Sequence, residues 1–461
     1  MHFASPLGEK SSLDSTLYGI QEPGARARKR MQFMKSPQRI RSLGRKQNGN
    51  GPGSGPRSGS NGNGPPALKA DSGPRIAWVT PSLERGYFMQ PLFREFTKRF
   101  PGTLVFTGCW PGFVAGCRDS FRVRELSGVG FRSSSKPSAG NPRGVITVSP
   151  RVFLELWKFR PQLVFVRGFD LCTIYAILLK VLTRCSLVLL WGGVGPHVTF
   201  PGSPVRLALR RLTARWFDYA VSHTKDGADY LRDVIEISPR QLSQYPYQPA
   251  DRGTLSFADR GNGTSSTLPR PVFLYVGRLI REKGLYTLLE ACSLLTKEEA
   301  GDFSITIVGQ GPEKARLQAV AQTLEIDGRI RWAGAVDYSQ LGACYQASDV
   351  FVFPSLEDII GMVVPEAMVF GKPVLCSDQA GAKDMVRHGG NGFVFDPYDA
   401  RQLAGHMARF VKEPELIRRF GAESKRIISP FTPQACAQRL GSIVDQVLGA
   451  TTDGASRGVA A

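Results

Sequence analysis

The chain has 461 residues, a formal charge of +20 and a pI near 9.8. That length exceeds what one hydrophobic core usually organises, so two globular domains with tails are expected, and the charge favours anionic partners without choosing among them. The eight cysteines are dispersed and show no C-x-x-C spacing, which argues against a zinc ribbon or a disulfide framework and for reduced, buried thiols.

Residues 1–73 hold 12 Lys and Arg against 4 Asp and Glu, and run from ARARKR and RIRSLGRK into NGNGPGSGPRSGSNGNGPP. Such a segment cannot bury enough apolar area to fold, and a disordered basic arm is expected. No recognition fold or aromatic platform accompanies it, so no specific nucleic-acid partner is expected. The amino terminus lacks a basic start followed by an apolar core, so it does not read as a secretory signal; a cytoplasmic protein is expected.

Order is predicted to begin at RIAWVT, followed by a helix in QPLFREFTKRF. The alternation continues through TLVFTG, RVFLELWKFRP before QLVFVRG, TIYAILLKVLT before SLVLLWGG, and LALRRLTARW before YAVSH. Strands that read as continuous apolar runs between helices indicate a parallel sheet covered on both faces, and residues 74–251 are assigned to this first Rossmann-like domain. The most apolar stretch, Leu171 to Trp191, is broken by Lys180 and by Thr183 and Arg184, which fits a helix and a buried strand better than a membrane span. In PVRLALRRLTARWF, Arg206, Arg210, Arg211 and Arg215 alternate with Leu207, Leu209, Leu212 and Trp216. Two readings stay open: a helix packed on the sheet with solvated arginines, or a basic face making peripheral contact with anionic membrane.

Residues 252–270 are rich in breakers and read as a linker, 271–448 as a second domain, and 449–461 as a disordered tail. The second domain opens on FLYVGRLIREKGLYTLLEACSLL, where a strand meets Gly277 and a helical face begins at Leu285, so Arg278 and Lys283 lie in the turn. A helix N-terminus already carries partial positive charge; a diphosphate would satisfy both cations and the free amides. SITIVGQGPEKARL is a second strand-to-helix turn, but Lys314 stands where a dinucleotide fingerprint needs its third glycine. In PSLEDIIGMVVPEAMVFGKPV, Gly361 precedes a short helix, Glu366 lies near its start, and Asp358 lies on the loop eight positions earlier. Acceptor carboxylates beside an amide-lined anion site suit a sugar nucleotide, although each acid alone also reads as helix capping.

The ordered segments VGRLIREKG, IVGQGPE, WAGAV, SDVFVFPSLED, GMVVPEAMVFGKPV and NGFVF resemble the C-terminal domain of family 4 glycosyltransferases with the GT-B fold. The resemblance implies an α/β chain of two Rossmann-like domains facing a cleft. It implies a nucleotide-diphosphate sugar as donor, a hydroxyl acceptor and retention of configuration. It gives Arg278 and Lys283 the donor diphosphate, Glu366 the ribose, and the first acidic position the donor sugar. Asp358 fills that position with Glu357 beside it, and either acid suits the contact. Gly277 and Gly361 belong to the donor site, and Gly86, the lone glycine of TPSLERGYFMQP, stands in the phosphate-approaching turn of the first domain. Gly192, Gly193 and Gly195 allow backbone to approach a ligand, and relatives place a functional histidine near His197. With no D-x-D motif, neither a metal nor another cofactor is expected. Two alternatives stay open: a catalytically silent nucleotide-sugar-binding regulator and a GT-B sugar-nucleotide epimerase.

Overall fold

The computed structural model describes residues 73–83, 87–126, 149–195, 199, 203–248, 250–256, 268–298 and 300–457. The basic arm up to residue 72 lies outside these, as does most of the expected linker.

The first domain is built on seven parallel strands: β1 (Ile76–Thr80), β2 (Thr103–Thr107), β3 (Arg122–Glu125), β4 (Leu163–Arg167), β5 (Ser186–Trp191), β6 (Tyr219–Ser222) and β7 (Leu242–Gln244), in the order β3-β2-β1-β4-β5-β6-β7. Ile76 pairs with Thr103 on one side and Leu163 on the other. Because side chains alternate across the sheet, each strand feeds two cores, which explains its unbroken apolar sequence. Trp78, Phe165 and Leu190 face helix Gln90–Arg99 through Phe93 and Phe96. Ala77, Val164 and Leu189 face helices Arg151–Phe159 and Leu171–Thr183 through Leu156 and Ala176. Trp78 stacks on Phe165 at 4.4 Å and takes Phe93 edge-on at 5.1 Å.

The second domain has six parallel strands: β8 (Val272–Val276), β9 (Ser304–Val308), β10 (Ile330–Gly334), β11 (Val350–Phe353), β12 (Val374–Ser377) and β13 (Gly392–Phe395), in the order β10-β9-β8-β11-β12-β13. In both sheets the order in which strands are added reverses beside the first strand, between β1 and β4 and between β8 and β11. Open sheets of this kind bind ligands beyond the carboxyl ends of the strands at such a point. In this chain those ends face each other.

Two boundaries differ from the sequence reading. Helix Pro433–Arg457 extends beyond residue 448 into the expected tail, and it packs on the first domain rather than the second, burying Cys436, Leu440 and Val444 with Trp78 and Phe96. Its 3.6-residue apolar period announces a helix but not which sheet receives it. Residues Arg252–Leu255, placed in the linker, form a short helix whose Leu255 is buried with Val276 and Tyr345 of the second core.

Candidate active site

The turn after β8 and the turn after β11 are stitched together. The Leu356 amide donates to the Glu282 carbonyl at 2.9 Å, and the Ser355 hydroxyl donates to the same carbonyl at 3.1 Å. Gly284 makes this approach feasible: its φ is +66°, and a Cβ there would overlap the Pro354 carbonyl oxygen. The chain then enters helix Leu285–Lys297, which leaves Lys283 at the helix entrance.

Lys283 forms an ion pair with Asp358, both largely shielded from solvent, and its ammonium lies 5.6 Å from the centre of the Phe353 ring. Asp358 is held on its other side, since Oδ1 accepts from the Ile360 amide at 3.1 Å. Of the two acids left open by the sequence, Asp358 sits with Lys283. Glu357 instead turns toward the first domain, with Oε1 3.0 Å from the place a Gly195 Cβ would occupy. Arg278 lies partly buried after β8, where its carbonyl accepts from the buried Tyr275 hydroxyl at 2.8 Å.

Gly361 has φ +80°, and a Cβ there would lie 2.8 Å from the Phe353 ring, so the turn into helix Val363–Val369 is closed to other residues. Glu366 follows in the first turn of that helix and is only 3% exposed. Its carboxylate accepts from the Tyr345 hydroxyl at 2.9 Å and the Tyr338 hydroxyl at 3.1 Å. Burial pushes its pKa up to about 7, against the opposing pull of those two hydrogen bonds. A carboxylate offers about four acceptor sites, so two remain for a ligand.

The two tyrosines were not read from the sequence. They lie seven residues apart, on one side of a short helical segment, a spacing that ordinarily marks core. Tyr338 also stacks on Tyr87 of the first domain at 6.0 Å, so the Glu366 environment reaches across the cleft. Tyr338→Phe keeps the stack and loses the donor. We expect it to cost about 1 kcal/mol above pH 7, where the carboxylate is charged, and less below pH 5, as read by denaturant melts at the two pH values.

The glycine run after β5 lies close against the loop that follows β11. Gly193 packs against the facing loop, where a Cβ would lie 2.8 Å from the Ile359 carbonyl oxygen. Across the same junction the Lys225 amide donates to Asp384 at 2.7 Å, and Lys383 pairs with Asp226 at 3.0 Å. Glycines forecast a close approach; here the object approached is the other domain. Gly86 and His197 lie outside the described residues. His223, at the carboxyl end of β6, is buried, and desolvation reinforced by the Arg167 charge lowers its pKa to about 3, so it stays a neutral imidazole.

Residues 263–427 match the family model described as Glycosyl transferases group 1. The chain is 25% identical over 179 residues to alpha-D-kanosaminyltransferase of Streptomyces kanamyceticus, covering 39% of this chain and 46% of that protein. It is 30% identical over 197 residues to D-inositol 3-phosphate glycosyltransferase of Pseudarthrobacter chlorophenolicus, covering 42% and 45%. The chain thus spans about half the length of the curated relatives it matches. Among solved structures, HepE of Anabaena in complex with UDP and glucose superposes with a TM-score of 0.61 at 16% identity, covering 81% of this chain and all of that one. At that identity the likeness concerns the fold, which is the two-domain GT-B arrangement. Residues 263–427 are therefore a group 1 glycosyltransferase domain, set in a chain of GT-B fold.

Proposed function

We propose that this protein is a glycosyltransferase that moves a hexosyl group from a nucleotide-diphosphate donor to a hydroxyl acceptor, with retention of configuration and without a metal. The observation that carries the reading is the Lys283–Asp358 pair joining the turns after β8 and β11, just ahead of the helix whose first turn holds the buried, doubly hydrogen-bonded Glu366. Breaking the anomeric C–O bond sends the electron pair to the departing diphosphate, and stabilising that charge is the main catalytic task. Arg278, Lys283 and the amides beside Gly361 supply it, while Glu366 accepts from the ribose hydroxyls. HepE has been solved with UDP-glucose, which makes uridine diphosphate sugars the first donors to test.

Among the described residues, no helix is long and apolar enough to cross a membrane. We read the protein as cytoplasmic with peripheral contact to anionic membrane, because helix Pro204–Ala214 points Leu209 and Leu212 outward while Arg210 turns inward over Phe169 and Trp191.

The test incubates the full chain with donors and with polysaccharide or lipid extracts, before and after dialysis against EDTA, and reads products by mass spectrometry and NMR. A glycosylated product of unchanged anomeric configuration, formed equally after chelation, is expected. An inverted product overturns retention, and loss of activity on chelation overturns metal independence. An epimer from donor alone would establish the epimerase alternative, and donor binding without any turnover the regulatory one.

A further inference from the structure

The outer face of the first domain departs from ordinary surface chemistry. Of the 13 exposed large apolar side chains among the described residues, 11 lie on or directly after helices Arg151–Phe159, Leu171–Thr183 and Pro204–Ala214. Five of them, Leu171, Ile174, Leu178, Val181 and Leu182, come from the middle helix alone. With their C-terminal flanks (151–160, 171–184 and 204–216), the three helices carry nine Lys and Arg and a single acid, Glu155. Lys158, Lys180 and Arg211 are paired with Glu155, Asp218 and Glu236, and the remaining excess of cations beside these exposed apolar side chains is complementary to an anionic bilayer.

Two of these helices end at a pocket of about 520 Å³ beneath the amino ends of β1, β4 and β5, on the side of the sheet opposite the cleft. Arg75, Arg160, Arg184, Gln162 and Trp157 line it, and none of its lining residues is acidic. Arg160 and Arg184 are the C-caps of their helices and adopt φ of 49° and 58°, the left-handed conformation that glycine usually supplies at this position. The helix ends bring roughly half a negative charge each, and three guanidinium groups outweigh that sum. Trp157 belongs both to the pocket and to the exposed apolar face, so the two features are continuous.

We propose that this pocket holds the headgroup phosphate of an anionic phospholipid while the adjoining apolar helices enter the bilayer surface. The proposal rests on the peripheral-membrane reading above and is independent of the glycosyl-transfer reading. Arginine meets phosphate bidentately, and Trp157 occupies the interfacial depth that tryptophan favours.

Glycine suits the backbone at both caps, so Arg160→Gly with Arg184→Gly removes two charges without straining the fold. The full chain is floated with vesicles of phosphatidylcholine alone and of equimolar phosphatidylcholine and phosphatidylglycerol, and its thermal shift with UDP is measured alongside. We expect wild type to bind only the mixed vesicles and the double variant to bind them about 30-fold more weakly, each basic residue at an anionic surface contributing a factor of about five. The control Arg401→Gln with Arg418→Gln, on exposed helices of the second domain, retains wild-type binding. Equal loss in that control, or undiminished binding by the glycine variant, overturns the pocket. Saturable binding of inorganic phosphate by a protein that ignores both vesicles overturns the lipid as its source. An unchanged UDP shift in the glycine variant keeps these outcomes separate from failure of the donor site.

Discussion

Replacing Lys283 with alanine lowers kcat/KM for the nucleotide-sugar donor by about a thousandfold, equivalent to about 4 kcal/mol of transition-state stabilisation. The magnitude follows from where the ammonium stands. It lies at a helix entrance, beside the Phe353 ring and paired with Asp358, with only 13% of its side chain exposed. Water screens a charge in such a place poorly, and the diphosphate gains charge as the anomeric bond breaks. Stability responds less, because after the substitution Asp358 keeps its hydrogen bond from the Ile360 amide and its remaining contact with solvent. Steady-state kinetics and a thermal melt on the same preparation therefore diverge: a large loss of turnover with a small shift in Tm. A variant within tenfold of wild type at unchanged Tm would place the diphosphate elsewhere. Lys283→Arg restores only part of the loss, since the planar fork does not fit the space that the Asp358 carboxylate and Phe353 ring define.

Much of this site was legible in the sequence because a few backbone requirements fix it. The strand ending at Val276, Gly277 after it and the helical period from Leu285 place Arg278 and Lys283 in one turn, and the structure has them there. Gly361 forecast the turn into a short helix with Glu366 in its first turn. The sequence was silent where an outcome depends on which distant surfaces meet. The apolar pattern of helix Pro433–Arg457 is the same whichever sheet it covers, and only packing assigns it to the first. Gly193 announces that something comes close, not that it is the Ile359 carbonyl of the other domain. Tyr338 and Tyr345 read as core because their hydroxyls find Glu366 only after β11 has set the following helix beside them.

Donor affinity should rise with pH through about 7, and Glu366→Gln should flatten that profile. The carboxyl is favoured neutral in the folded protein, its pKa raised from 4.5 to about 7 by burial. Its contribution to stability is therefore fully present below about pH 4.5 and is lost as pH rises through 7, to the extent of about 3 kcal/mol. Ribose hydroxyls donate more strongly to the carboxylate than to the neutral acid, so the donor favours the form that the empty protein disfavours. By linkage, donor binding then lowers the Glu366 pKa by as much as ionisation strengthens the donor. Glutamine keeps one acceptor for the tyrosine hydroxyls and does not ionise, so the variant escapes the stability loss above pH 7 while binding donor weakly at every pH. Isothermal titration with a nucleotide sugar at pH 6 and pH 8, paired with melts of the empty protein, measures both effects. They must run in opposite directions in wild type. Parallel pH profiles in wild type and variant would mean that the ribose is held by another residue and that Glu366 serves the Tyr338–Tyr345 cluster alone.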